Sequence, residues 1–130
     1  MNRRRRRGLT LIEIVVVITI SAMLMSAVAV SAIRIHQNSL RERAKMDVRT
    51  VLNALDLYRL NKGRYPEPQK GLEVLATAKL MKEVPKDPWG SVYTYALEDG
   101  EPVVTSYGAD GAPGGVGADA DVSSKSLSEE

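Results

Sequence analysis

Cysteine and phenylalanine are absent from this 130-residue chain, and tryptophan and histidine occur once each. Without cysteine there is no disulfide and no thiolate metal site. The lone histidine, His36, removes histidine-based zinc sets and most nucleophile–base pairs. No Ser/His/Asp, Cys/His or close carboxylate constellation stands out, so the chain does not read as an enzyme. With Trp89 as its only large aromatic besides tyrosine, any globular core must be small and aliphatic. The length suits one small domain with an appendage.

The formal charge of +2 is unevenly spread. Five of the 18 basic residues are Arg3 to Arg7. Beyond Gly8 there remain 13 basic and 16 acidic side chains, a net −3. Residues 98–130 hold eight acidic side chains and one basic one, Lys125. A nucleic-acid binder concentrates Lys and Arg on its folded part, so no nucleic-acid partner is expected. The arginine run reads as a topological signal, and the acidic end as a cation site or a solvated tail.

Residues 14–33 carry no charge over twenty positions. At about 1.5 Å per helical residue they reach close to the ~30 Å of a bilayer core. The arginines before them should stay cytoplasmic and the remainder should lie outside the inner membrane. An ordinary cleaved signal peptide is the main rival, with Ala27-Val28-Ala29 as its cut site. Two features oppose it. The uncharged run exceeds the usual h-region. Glu13 also sits at the start of the apolar segment, where a carboxylate costs roughly 2.5–3.5 kcal/mol at membrane depth and so marks a functional residue in need of a partner.

Gly8-Leu9-Thr10-Leu11-Ile12-Glu13, behind a short basic leader and ahead of Ile14-Val15-Val16-Val17-Ile18, resembles the type III signal of the type IV pilin superfamily. The resemblance implies cleavage by a prepilin peptidase between Gly8 and Leu9, and N-methylation of Leu9. It makes Glu13 the assembly glutamate, fifth after the cut. Pairing Glu13 with the amine of a neighbouring subunit relieves two charges that are each costly alone, and it fixes the register between subunits. Leu9 replaces the usual Phe or Met, and Ala22 and Val30 stand where the family has a glycine and a proline.

Neither Pro nor Gly occurs from residue 9 to 62. Ala44, Val48, Val51, Leu55 and Tyr58 recur at spacings of three and four, an apolar stripe among charged faces. One continuous helix is expected from about residue 9 to 61, ended by Gly63 and Pro66. His36 reads as solvated or interfacial.

Leu72, Leu75, Ala76 and Leu80 mark a short amphipathic helix. Asp87-Pro88-Trp89-Gly90 reads as a turn that lets Trp89 cover the core. Residues 91–97 alternate like a strand, Asp99-Gly100 signals a hairpin, and residues 102–107 supply its second strand. The expected fold class is α+β: a long N-terminal helix, transmembrane in its first half, packed on a small antiparallel sheet. The segments Asp56 to Pro66, Gly71-Leu72-Glu73 and Lys86-Asp87-Pro88-Trp89-Gly90, with Tyr93 and Tyr95, resemble those of major pseudopilins of type II secretion systems.

Residues 108–121 contain five glycines and three aspartates, Asp110, Asp119 and Asp121. By composition the segment is a mobile acidic loop. The pseudopilin resemblance implies instead a calcium loop, with Asp110 and Asp121 as carboxylate ligands and the Tyr107 carbonyl as a third. Asp119 falls where the family often has a non-ligand. Calcium takes six to eight oxygens, and the spacing is not that of an EF-hand. Residues 123–130 are polar and read as a disordered tail.

The expected organisation is therefore a cleaved basic leader (1–8), a transmembrane and polymerisation helix (9–33), an amphipathic stalk (34–62), a globular head with the calcium loop (63–122) and the tail. The resemblance implies a homopolymer in the periplasm that drives protein export. Its expected partners are minor pseudopilins, an inner-membrane assembly platform, prepilin peptidase and the lipid bilayer. An adhesive or motility pilin, an N-terminally anchored enzyme and a secreted calcium binder are the alternatives. The lack of cysteine speaks against the first, because such pilins commonly close their C-terminal region with a disulfide.

Overall fold

The computed structural model describes residues 8–128. The chain divides into two compact units at His36 and Gln37. Helix α1, Leu11–Lys62, begins in the first and ends in the second.

Within the first unit the side chains from Leu11 to Val30 face outward apart from Ser21, which is half-buried. The chain contains one helix long and apolar enough to cross a membrane among its described residues. Its few hydroxyls do not interrupt it. Thr19, Ser21 and Ser31 donate to the carbonyls of Val15, Val17 and Ala27, four residues earlier, at 2.7, 2.8 and 3.1 Å. Each polar group is thus satisfied by its own helix, as an apolar surrounding requires. Ala22 and Val30 lie within unbroken helix. His36 is exposed.

In the second unit α1 buries Ala44, Val48, Val51, Ala54 and Leu55. These residues meet Leu72 and Leu75 from the segment containing α2 (Glu73–Thr77), and Tyr93, Tyr95, Val104 and Val122 from the sheet side. The helix stops where Gly63 adopts φ +78° and donates its amide to the Arg59 carbonyl at 2.7 Å. A left-handed residue at this point is the ordinary glycine C-terminal signal.

The sheet has three antiparallel strands in the order β1-β2-β3, with β1 Thr94–Glu98, β2 Glu101–Ser106 and β3 Val122–Ser123. Asp99 and Gly100 make the β1–β2 turn with φ of 52° and 84°. Two successive positive φ angles are what a two-residue hairpin needs to match strand twist. The pairing sets Tyr95 opposite Val104, both buried toward the helix.

β1 begins three residues later than the alternation of residues 91–97 suggests. The intervening chain is held by Asp87, only 4% exposed, whose Oδ1 accepts the amides of Trp89 and Ser91 at 3.1 and 2.8 Å. Its Oδ2 accepts the Ser106 hydroxyl at 2.6 Å, which ties the turn to the end of β2. Trp89 packs half-buried against the core, as expected. The Tyr93 hydroxyl donates to Asp47 at 3.0 Å; burial first, and the Asp47 charge second, push its pKa well above the ordinary value. Tyr95 donates to the Pro66 carbonyl at 2.8 Å, and burial pushes it up to about 12. Both rings therefore remain neutral donors at physiological pH.

The expectation of a disordered tail from residue 123 is corrected. Ser123 pairs with Thr105 in the sheet, and Ser124–Leu127 form a short helix, α3. Two of the hydroxyls that make this stretch look solvated satisfy backbone amides instead. Ser124 is buried and its Oγ accepts the Val104 amide at 3.1 Å, while Ser123 caps α3 by accepting the Lys125 amide. Lys125 pairs with Glu98 across the sheet edge, and Leu127 packs against the core. Residues 129–130 and residues 1–7 of the expected leader lie outside the described residues.

Candidate functional site

The first candidate site is the start of α1. Thr10 and Glu13 form a reciprocal cap: Thr10 Oγ1 accepts the Glu13 amide at 3.3 Å, and Glu13 Oε2 accepts the Thr10 amide at 3.5 Å. This is the capping-box arrangement, in which two amides left free at a helix start are satisfied at once. A carboxylate there also meets the positive end of the helix dipole. It brings the Glu13 carboxylate back toward Leu9 and Gly8, which are exposed along with Glu13 itself. The Thr-x-x-Glu spacing carries this signal in the sequence.

The second candidate site is the loop after β2, in the other unit. Its chain closes on itself. The Ala109 amide donates to the Ala118 carbonyl at 3.1 Å, and the Asp121 amide to the Gly114 carbonyl at 3.2 Å. Asp121 Oδ2 in turn accepts the Gly114 amide at 3.0 Å. Residues Gly117–Asp119 make a 3-10 turn. Gly108, at φ +68°, lies so close to it that a Cβ there would stand 2.7 Å from the Asp119 carbonyl oxygen. A mobile loop would not impose that contact. Gly108→Ala should therefore add a steric clash to the left-handed penalty, a loss of about 2 kcal/mol. For a unit of this size that lowers Tm by about 10 °C. Gly111→Ala has a similar φ of +66° and open space, so it should cost less. Thermal unfolding followed by Trp89 fluorescence checks both; equal melting of the two variants would contradict the packing described.

The four sequence-predicted loop residues are not equivalent. Asp110 is exposed and its Oδ1 accepts the Ala112 amide at 3.1 Å. Asp119 is exposed, and Tyr107 is half-buried beside buried Gly108. Asp121 is half-buried, and its Oδ1 is buried without a hydrogen-bond partner. Among the described residues no three His, Cys, Asp or Glu side chains gather as a metal cluster. The donor chemistry still suits calcium: every available group is oxygen, and one buried carboxylate oxygen lacks a partner. Carbonyls would have to complete such a site.

Sequence reasoning missed Arg41. Its Nη1 donates to the Ala120 carbonyl at 2.7 Å and to the Gly117 carbonyl at 3.1 Å. With so much chain between them, no local pattern could join these groups.

Comparison with known proteins resolves the family. Residues 32–125 match the family model described as type II secretion system (T2SS), protein G, and residues 3–29 match the prokaryotic N-terminal methylation motif. The chain belongs to the protein G family of type II secretion systems. It is 35% identical to type II secretion system core protein G of Vibrio cholerae serotype O1, over 92% of this chain and 91% of that one. It is also 35% identical to the core protein G of Pseudomonas aeruginosa, over 94% and 96% of the two chains. A crystal structure of the major pseudopilin from the type 2 secretion system of enterohaemorrhagic Escherichia coli superposes with a TM-score of 0.59 at 26% identity, covering 69% of this chain and 90% of that one. The α+β, pilin-like fold is shared with that protein. As a protein G family member the chain is a structural subunit of a secretion pseudopilus and not an enzyme. Its apolar N-terminal helix is the membrane-anchoring part.

Proposed function

We propose that the chain is made as a precursor, cut between Gly8 and Leu9 by prepilin peptidase, methylated at Leu9, and stacked as a homopolymer in the periplasm. It waits in the bacterial inner membrane with its C-terminal unit in the periplasm. Minor pseudopilins and an inner-membrane assembly platform are its partners, and growth of the fibre moves proteins across the outer membrane. The observation that carries this reading is the Thr10–Glu13 cap. It brings a carboxylate back toward the future amino terminus, just ahead of the uncharged and largely exposed stretch 14–33 of α1. A carboxylate on such a surface gains most from a cationic partner brought by a neighbour.

The acidic loop is read as a calcium site held by Asp121, Asp110 and the Tyr107 carbonyl, with Asp119 peripheral. Calcium would supply positive charge among carboxylates that otherwise repel.

Gly8→Val tests the processing step. Gly8 is exposed, and a Cβ there would meet nothing within 4 Å among the described residues beyond its chain neighbours, so a side chain should spare their fold and obstruct the peptidase. The variant should accumulate in the membrane at full length, retaining Arg3 to Arg7. Mature-sized protein at wild-type level from Gly8→Val would contradict the reading.

A further inference from the structure

Gln37, Arg41, Ala44, Val48, Val51 and Leu55 follow one another at spacings of four and three, so Arg41 stands on the same face of α1 as the buried stripe. A guanidinium on a core-facing stripe is costly unless its donors are satisfied. Here Nη1 reaches the carbonyls of Gly117 and Ala120, and the second bond is partly shielded from water. Those two carbonyls belong to the first residue of the 3-10 turn that contains Asp119 and to the residue that caps its end. Asp121 follows immediately, clasped from its other side by both backbone groups of Gly114. The chain around Asp121 is thus fixed from two directions, and Asp121 Oδ1 is left buried and unpartnered.

We propose that Arg41 is a positioning residue for the acidic loop. It anchors the backbone between Gly117 and Ala120 to α1, and thereby presents the Asp121 carboxylate to a divalent cation that takes oxygen donors. The consequence for Asp121 rests on the reading of the loop as a cation site; the anchoring of the loop does not. Arg41 touches no ligand in this account. Its positive charge alone would repel a cation, so positioning and simple electrostatics predict opposite effects of its removal.

The experiment uses the full chain in detergent micelles, comparing wild type, Arg41→Met and Arg41→Lys. Hydrogen exchange in chelator reads the loop amides of Ala109, Gly114, Asp119 and Asp121 against the β1–β2 hairpin. Calorimetric titration with calcium chloride reads cation binding. Loss of charge-assisted hydrogen bonds should speed loop exchange about tenfold in Arg41→Met, with the hairpin unchanged and calcium binding weakened about tenfold. Arg41→Lys, which keeps a charged donor, should fall between the two. Unchanged loop exchange, equal acceleration of loop and hairpin, or tighter calcium binding by Arg41→Met would each overturn the proposal. A wild-type chain that takes up no calcium overturns the cation reading and the consequence for Asp121, while the exchange comparison still decides whether Arg41 anchors the loop.

Discussion

Glu13→Ala is expected to enter the membrane as well as the wild type and to form no fibre. Burying the helix start becomes easier once the carboxylate is gone, because an ionised group at membrane depth carries a penalty of roughly 2.5–3.5 kcal/mol. Assembly becomes harder, because the neighbour's α-amine loses its counter-charge, and breaking one side of a buried ion pair costs about 3–5 kcal/mol. At 1.4 kcal/mol per factor of ten, that is a loss of about a hundredfold or more in each subunit contact. A fibre repeats the contact at every step, so yield should fall below detection. Glu13→Gln separates two roles of this side chain. Glutamine can still complete the cap with Thr10, yet it carries no charge. Fibre sedimentation after shearing should place Glu13→Gln with Glu13→Ala. Wild-type yield from Glu13→Gln would assign the residue to capping alone.

The second large effect is expected from calcium. Binding to the folded state alone stabilises by RT ln(1 + [L]/Kd), about 2.7 kcal/mol at a hundredfold excess over Kd. For a unit of this size that corresponds to a rise in Tm of about 10–20 °C. Asp121→Ala and Asp110→Ala should abolish the rise. Asp121 should be the more damaging, because its carboxylate also clasps the Gly114 amide and so supports the loop without any ion. Asp119→Ala should change less, since that side chain stands outside the proposed ligand set. Melting of the full chain in detergent, with calcium and with chelator, reads all three. A Tm indifferent to chelator in the wild type would show that the loop's own hydrogen bonds and Arg41 suffice.

What the sequence makes legible here is local. The helix follows from the three-and-four spacing of Ala44, Val48, Val51 and Leu55 and from the absence of glycine and proline. The helix stop follows from Gly63, and the hairpin from Asp99-Gly100 between alternating residues. The Glu13 site is legible because a single carboxylate, five residues after Gly8, opens a long uncharged run; its cap with Thr10 is what the fold adds. What escapes is non-local or disguised by composition. Asp87 looks like an ordinary turn residue until Ser106 of β2 is brought to it. Ser123 and Ser124 look solvated because polarity alone cannot reveal that β2 offers the Val104 amide to a hydroxyl. Arg41 resembles its charged neighbours Glu42 and Arg43, and only the folded loop distinguishes it. The acidic loop looks disordered because glycine and aspartate bury little apolar surface. Its order comes from backbone hydrogen bonds and close glycine contacts, which hydropathy does not register.

The central claim is that this chain becomes a fibre subunit by losing its basic leader and exposing a new amine near Glu13. Mass spectrometry of the amino-terminal peptide, from protein purified out of the membranes of its own cells, tests that claim most directly. The expected chain begins at Leu9 and carries a methyl group on its α-amine. A chain that begins near Val30, as an ordinary signal peptide would leave it, or one that retains Arg3 to Arg7, would contradict it.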